Sequence, residues 1–366
     1  MELYVTGSNI FRQWHCDDLV INEFRVLSPS KHIVANDRSR TNLLEINWSY
    51  NIVQIDDILY ISGAWDGKEN QFTKVPLPSE CVTSKVDLCV TGNDYKIILV
   101  DKKMAALWAL DLNKNEVKKL NFFIEKAIED NMKKKKLDDS VTKAVLSSGT
   151  CLYLTQRGHV YSGILPSYVD TKHCVGKVID VQCGHEHFVL LTEEGRVYTW
   201  GNGRRLQLGH GDISSLEVPT EVEALAGIKI LKISAGGWHN LALSEFGDVY
   251  AWGLNDTGQL GIKHLNREHN ESFCVPNLVS LFDKQGIEIT RNVKDIACGS
   301  KHSALILDDN TVWTSGCNKY GQLGLSEQKY PSLNYYKNVF QCDNEDRNCS
   351  LICGPWNTVI FCKFEK

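Results

Sequence analysis

The stretch ISAGGWHNLALSEFGDVYAWGLNDTGQLG, Ile233–Gly261, decides the fold. Leu241 and Leu243 on one arm, and Val249, Tyr250 and Trp252 on the other, follow the alternation of β-strands. Glu245, Phe246, Gly247 and Asp248 between them form a turn, with Gly247 free to take the conformation that a Cβ resists. Gly236 and Gly237 let strands come close together. Gly253 and the run Gly258–Gly261 punctuate the passage to whatever follows. A lone hairpin of this kind cannot bury its faces, so stability requires neighbouring copies.

The copies are in the chain. Fifty-two residues earlier, VQCGHEH at Val181–His187 leads into GRVYTWG at Gly195–Gly201 and QLG at Gln207–Gly209. Sixty-three residues later, IACGSKH at Ile296–His302 leads into TVWTSG at Thr311–Gly316 and GQLG at Gly321–Gly324. Weaker copies precede them. Ile46–Gly63 aligns with Gly236–Gly253 without a gap, placing Trp48 on Trp238, Tyr60 on Tyr250 and Gly63 on Gly253. Ser147–Gly163 fits as well, and Asp94–Leu110 fits with one residue of adjustment. Leu351–Ile360 matches the first half of a unit, and Leu3–Gln13 matches the second half. Six whole units and one unit shared between the chain ends make seven.

The pattern therefore predicts an all-β, seven-bladed β-propeller of four-stranded blades, closed by pairing of the N- and C-terminal strands. Closure removes the edge strands that would otherwise recruit other chains. The expected organisation is a single propeller over 1–366. Residues 1–14 and 351–366 share the closing blade, 46–164 form divergent blades, 181–324 form regular repeats, and 114–139 is a helical and basic insertion.

Composition narrows the function. The chain has 366 residues, 43% apolar and 23% charged, and a net charge of −5. That balance argues against nucleic-acid binding spread over the whole surface, though a local basic patch stays open. No apolar run approaches the roughly 18 residues of a membrane span, and the first residues lack the charged-then-apolar order of a secretion signal. Thirteen cysteines in no regular framework suggest reduced thiols in cytosol or nucleus.

Few residues suggest chemistry. His239 recurs as His187 and His302, and a residue that repeats once per blade suits a structural role, hydrogen-bonding backbone or fixing a loop within its blade. His185 and His187 with Cys183 could face one metal across a strand, but His187 is the repeat histidine. Cys342, Cys349 and Cys353 lack paired spacing, so a zinc site is not expected there. Walker-type phosphate loops and Gly-x-Ser-x-Gly elbows do not occur, and no catalytic residue, metal or cofactor is predicted. Glu193–Glu194 and Asp308–Asp309 read as solvated turn residues.

Three segments stand out as partner contacts. Arg204 and Arg205 occupy an otherwise standard connector, in which Leu206 replaces the usual glycine and so predicts an altered loop. Lys133, Lys134, Lys135 and Lys136 follow an amphipathic pattern over 121–132. The polar stretch Lys263–Glu271 carries His264 and His269.

The unit at 236–261, with Gly236, Gly237, Trp238, His239, Trp252 and Gly253 as its fixed points and Trp356 in the last copy, resembles the regulator of chromosome condensation repeat. The resemblance is strong over 181–362 and weak but continuous over 1–164. Kelch propellers share the unit length but lack the Gly-Gln-Leu-Gly tail, and the Trp-Asp of WD40 units is missing. The resemblance implies a non-enzymatic scaffold in the nucleus or on chromosomes, with the cytosol open. It further implies a Jumonji-type Fe(II)/2-oxoglutarate oxygenase and chromatin proteins as partners. The family's founding activity, nucleotide exchange on a Ran-like small GTPase, is the rival implication, and direct nucleosome or DNA binding is a third.

Overall fold

The computed structural model describes residues 2–27, 41–56, 58–75, 77, 88–101, 106–114, 116–121, 140–262, 271–342 and 347–364. The chain begins with β1 (Glu2–Ser8) and β2 (Val20–Val26). Blade 1 holds β3 (Thr41–Ile46), β4 (Tyr50–Ile55), β5 (Ile58–Trp65) and β6 (Lys68–Lys74). Blade 2 holds β7 (Leu88–Gly92), β8 (Lys96–Asp101), β9 (Ala106–Asp111) and β10 (Glu116–Asn121). Blade 3 holds β11 (Val141–Leu146), β12 (Cys151–Thr155), β13 (Val160–Ser162) and the two-residue β14 (Ser167–Tyr168). Blade 4 is β15 (Val178–Cys183), β16 (His187–Thr192), β17 (Val197–Gly201) and β18 (Leu216–Glu221). Blade 5 is β19 (Ile230–Ala235), β20 (His239–Ser244), β21 (Val249–Gly253) and β22 (Phe273–Leu278). Blade 6 is β23 (Val293–Cys298), β24 (His302–Leu307), β25 (Thr311–Cys317) and β26 (Ser332–Gln341). The chain ends with β27 (Arg347–Gly354) and β28 (Asn357–Phe364), which join β1 and β2 in blade 7 in the order β27-β28-β1-β2.

The first strand of each blade touches the first strand of the next, and β27 touches β3, so the ring is closed. The closing seam runs from Glu2 opposite Cys362 to Gly7 opposite Asn357. Tyr4 lies against Ile360 there. The shared blade is thus wider than 1–14 plus 351–366, because β2 and the start of β27 also belong to it.

Strand alternation explains how the blades stack. In β20, Leu241 and Leu243 enter the apolar seam with blade 6, while Ala242 enters the seam with blade 4. In β12, Cys151 and Tyr153 face blade 2, while Leu152 and Leu154 face blade 4. Both faces of a middle strand are therefore interior, and β20 is buried at every position. The seam between blades 7 and 1 gathers Val5, Trp14, Ile21, Ile46 and Val359, which come from opposite ends of the sequence.

The predicted insertion over 114–139 is corrected at its start. Glu116–Asn121 is β10, paired with β9 from Glu116 opposite Asp111 to Asn121 opposite Ala106. Val117 and Leu120 are half-buried while Lys118 and Lys119 are exposed. Outer-strand pairing, which the helical pattern from residue 121 onward obscured, claims these residues. The expected helix over 122–132 and Lys133–Lys136 lie outside the described residues.

Five of the seven inner strands share one irregularity. A register shift falls between Leu43 and Glu45, Val141 and Lys143, Val178 and Asp180, Ile230 and Lys232, and Val293 and Asp295. A bulge re-aims the residue that follows it, and in all five strands that residue is charged. Lys143 pairs with Asp180 at 2.6 Å, and Lys232 pairs with Asp295, each across one blade boundary. Asp295 also accepts from the Leu351 backbone N–H at 2.7 Å. The fifth member, Glu45, faces the central channel, a cavity of 840 Å³ lined by all seven inner strands. Burial pushes its carboxyl up to about 8, against the opposing effect of a hydrogen bond from the Gly92 backbone. Partial access to the channel screens some of that penalty.

A candidate interaction rim

The repeat histidines are latches between blades. His187 Nε2 lies 2.8 Å from Asn240 Oδ1, His239 Nε2 lies 2.9 Å from Ser303 Oγ, and His302 Nε2 lies 3.1 Å from Thr358 Oγ1. Each acceptor sits one blade further on. Each in turn donates to a connector carbonyl of the preceding blade: Asn240 to Gln207 O at 2.8 Å, Ser303 to Gln259 O at 2.7 Å, and Thr358 to Gln322 O at 2.8 Å. Because those hydroxyls and that amide spend their protons on the carbonyls, the histidine nitrogen facing them must carry its own. The rings are neutral Nε2–H tautomers. Burial pulls His187 and His302 down to about 4, and burial with the other two rings' charge pulls His239 to about 3. The sequence expectation of a fixture within each blade is corrected: the bond crosses to the next blade.

The glycine column follows from the same latch. A Cβ on Gly184, Gly236 or Gly299 would stand 2.1 Å from the Cε1 of the histidine three residues on. At Gly237 the neighbouring blade leaves no room instead, since a Cβ there would stand 2.6 Å from Ser300 O. In blade 7 Asn357 replaces the histidine, and its Nδ2 donates to Ser8 O at 2.8 Å, tying the C-terminal turn to the N-terminal strand.

The turns that carry these residues emerge on one rim, beside the connectors between blades. Arg204 and Arg205 are exposed there. Arg205 places its guanidinium 5.0 Å from the Trp238 ring, whose edge also meets His185 at 5.4 Å. Leu206 does not alter its loop, contrary to expectation. It takes φ +64°, beside +87° at Gly258 and +75° at Gly321. The Arg205 N–H donates to Gln207 Oε1 at 2.8 Å, as Thr257 does to Gln259 at 2.9 Å and Tyr320 to Gln322 at 2.9 Å. The glutamine brace holds the turn, and leucine tolerates a left-handed conformation that costs it about 1–2 kcal/mol.

Around the closing blade the same rim carries an aromatic cluster. Trp48 stands 5.0 Å from Tyr320, 6.0 Å from Trp356 and 5.9 Å from Phe11, and Tyr320 stands 5.2 Å from Trp356. All four are half-buried. Lys319 Nζ lies 5.3 Å from the centre of the Tyr320 ring. Sequence reasoning singled out Trp238, Trp356 and the arginines but missed Phe11, Trp48 and Tyr320 as a group. The signal was available: Trp48 and Trp356 occupy the Trp238 position, and Phe11 and Tyr320 occupy the Arg205 position. His264, His269 and Lys133–Lys136 lie outside the described residues.

Sequence profiles described as "Regulator of chromosome condensation (RCC1) repeat" match residues 194–243 and 247–306, and also 178–207, 230–259 and 293–322. The chain carries RCC1 repeats across residues 178–322. Human RCC1 domain-containing protein 1 is 29% identical over 238 residues, which is 57% of this chain. The match spans 60% of that relative's length. The RCC1-repeat ring also superposes on solved propellers. Human WBSCR16 gives a TM-score of 0.73 at 16% identity, over 99% of this chain and 100% of the other. Prp20p from Saccharomyces cerevisiae, described with binding properties to Gsp1p and histones, gives 0.74 at 15% identity, over 100% and 92%. At such identities these two likenesses establish the RCC1-type fold, and the fold alone.

Proposed function

We propose that this RCC1-repeat chain is a non-enzymatic, protein-binding platform of the nucleus or chromosomes, and that the aromatic and cationic rim is its docking surface. The observation that carries the reading is the grouping of Phe11, Trp48, Tyr320 and Trp356 around the closing blade, with Arg205 stacked on Trp238 along the same rim. Aromatic and arginine anchors set on a rigid frame are what protein interfaces concentrate their binding energy in. Half-buried rings already held by neighbours lose little freedom on binding.

The proposed partner is a chromatin-associated protein, with a Jumonji-type oxygenase as the specific choice that the family resemblance supports. A second reading, nucleotide exchange on a small GTPase, is supported by full-chain superposition on Prp20p and the interaction described for that protein. It requires no acid or base from the propeller.

The test uses the full chain against three purified probes: a Jumonji-type oxygenase, a Ran-like GTPase loaded with fluorescent GDP, and nucleosome core particles. Saturable binding of the oxygenase, weakened about thirtyfold by loss of one anchor through Trp48→Ala or Arg205→Ala, is expected; thirtyfold corresponds to about 2 kcal/mol. Accelerated GDP release would favour the exchange reading. Retention on nucleosomes alone, falling steeply with salt, would favour direct chromatin contact.

A further inference from the structure

Three thiols from two blades meet in the seam beside the closing strand pair. Cys349 on β27 and Cys362 on β28 are directly opposed. Cys342, just past the end of β26, joins them from blade 6. Cys349 Sγ lies 2.7 Å from Cys362 Sγ, Cys342 Sγ lies 3.6 Å from Cys362 Sγ, and all three sulfurs fall within 4.8 Å of one another. Their side chains are buried among Ala304, Ile306, Val312, Leu351 and Ile360.

That setting discriminates between two chemistries. A metal bound as a tris-thiolate would leave net negative charge in an apolar seam, at high cost, and a structural zinc site calls for four ligands. A disulfide carries no charge. Opposed residues of an antiparallel pair have Cα atoms about 4.5–5.5 Å apart, inside the roughly 4.4–6.8 Å that a disulfide spans. We propose that Cys349 and Cys362 are a reversible disulfide site responding to peroxides, with Cys342 as an exchange thiol that can move the bond to Cys342–Cys362.

In the first step the Cys349 thiolate attacks one peroxide oxygen. The O–O bond breaks, a sulfenic acid forms, and the other oxygen departs as hydroxide and takes up the thiol's proton as water. The Cys362 sulfur then attacks the sulfenic sulfur. The S–S bond forms, and the sulfenic oxygen leaves as a second water with the Cys362 proton. Two electrons pass from the two sulfurs to the peroxide. Burial makes the reaction slow and dependent on local opening of the seam. Exchange by Cys342 shifts the link from within blade 7 to between blades 6 and 7, so the ring's closing blade becomes covalently held.

The experiment treats the reduced full chain with hydrogen peroxide, in parallel with zinc ion alone, then alkylates remaining thiols. Chymotryptic cleavage at Trp356 separates Cys349 from Cys362, and mass spectrometry reads the linkage. Loss of two hydrogens per chain, a Cys349–Cys362 cross-link that reductant reverses, and a melting temperature raised by several degrees are expected. Cys349→Ser diverts the link to Cys342–Cys362, and Cys362→Ser abolishes both; should the latter fail to fold, Cys349→Ser alone decides. Quantitative alkylation of Cys349 and Cys362 after peroxide, oxidation of either only to sulfinic acid, or stoichiometric zinc retained by the wild type and lost in Cys342→Ser would each overturn the proposal.

Discussion

At the scale of the residue, a few side chains hold blades together. Replacing His239 with alanine removes a fully buried ring and leaves the Ser303 hydroxyl without the donor that faces it. A loss of about 2–4 kcal/mol is expected, from the cavity and the lost hydrogen bond together, read as a lower denaturant midpoint. The histidines also impose a pH dependence. In the unfolded chain an imidazole takes a proton near 6.5, whereas His187, His239 and His302 resist it down to about 4, 3 and 4. Between those limits the unfolded state holds more protons, so stability is complete above pH 6.5 and is lost as pH falls towards 4. Denaturant titrations between pH 7 and pH 4 check this, and His302→Gln should flatten the profile. Backbone conformation is tested separately. Gly258→Ala would place a Cβ 2.3 Å from Leu333 O at φ +87°, costing about 2 kcal/mol or more. Leu206→Gly relieves a left-handed leucine and should be neutral or stabilising by up to about 1 kcal/mol.

At the scale of the element, the inner strand is the unit that matters. Its bulge turns one residue aside in each of five blades, and the paired charges Lys143–Asp180 and Lys232–Asp295 bridge boundaries. Glu45 holds the same place but titrates near 8. Its carboxyl ionises near 4.5 when unfolded, so the folded state holds the extra proton between about 4.5 and 8, and this contribution to stability is lost as pH rises. Glu45→Gln should therefore raise the melting temperature at pH 8 and leave it nearly unchanged at pH 4.5. Element boundaries were the least legible part of the sequence. Val117 and Leu120 fall on opposite faces of β10, towards the seams with blades 1 and 3, but the apolar run that follows at Phe122–Ile124 invited a helical reading. An outer strand is specified mainly by the neighbour it pairs with, which local periodicity does not record.

At the scale of the whole molecule, ring closure depends on two ends of the chain sharing one sheet. Removing residues 2–8 would strip β28 of its partner from Cys362 to Asn357 and expose a strand edge. A lower melting temperature and concentration-dependent self-association are expected, measured by light scattering on the eluting protein. The sequence by itself determined the strand period, the number of units and the division of one unit between the termini, because each unit repeats the same spacing of glycine, apolar and turn residues. It also marked Trp48, Trp238 and Trp356 as equivalent. Only the tertiary structure decided that His239 bonds to the next blade, that Trp48 meets Tyr320 and Trp356, and that Cys342 joins Cys349 and Cys362. These contacts are made between blades, where which side chains meet depends on how neighbouring sheets stack around the ring, and no spacing along a single unit carries that geometry.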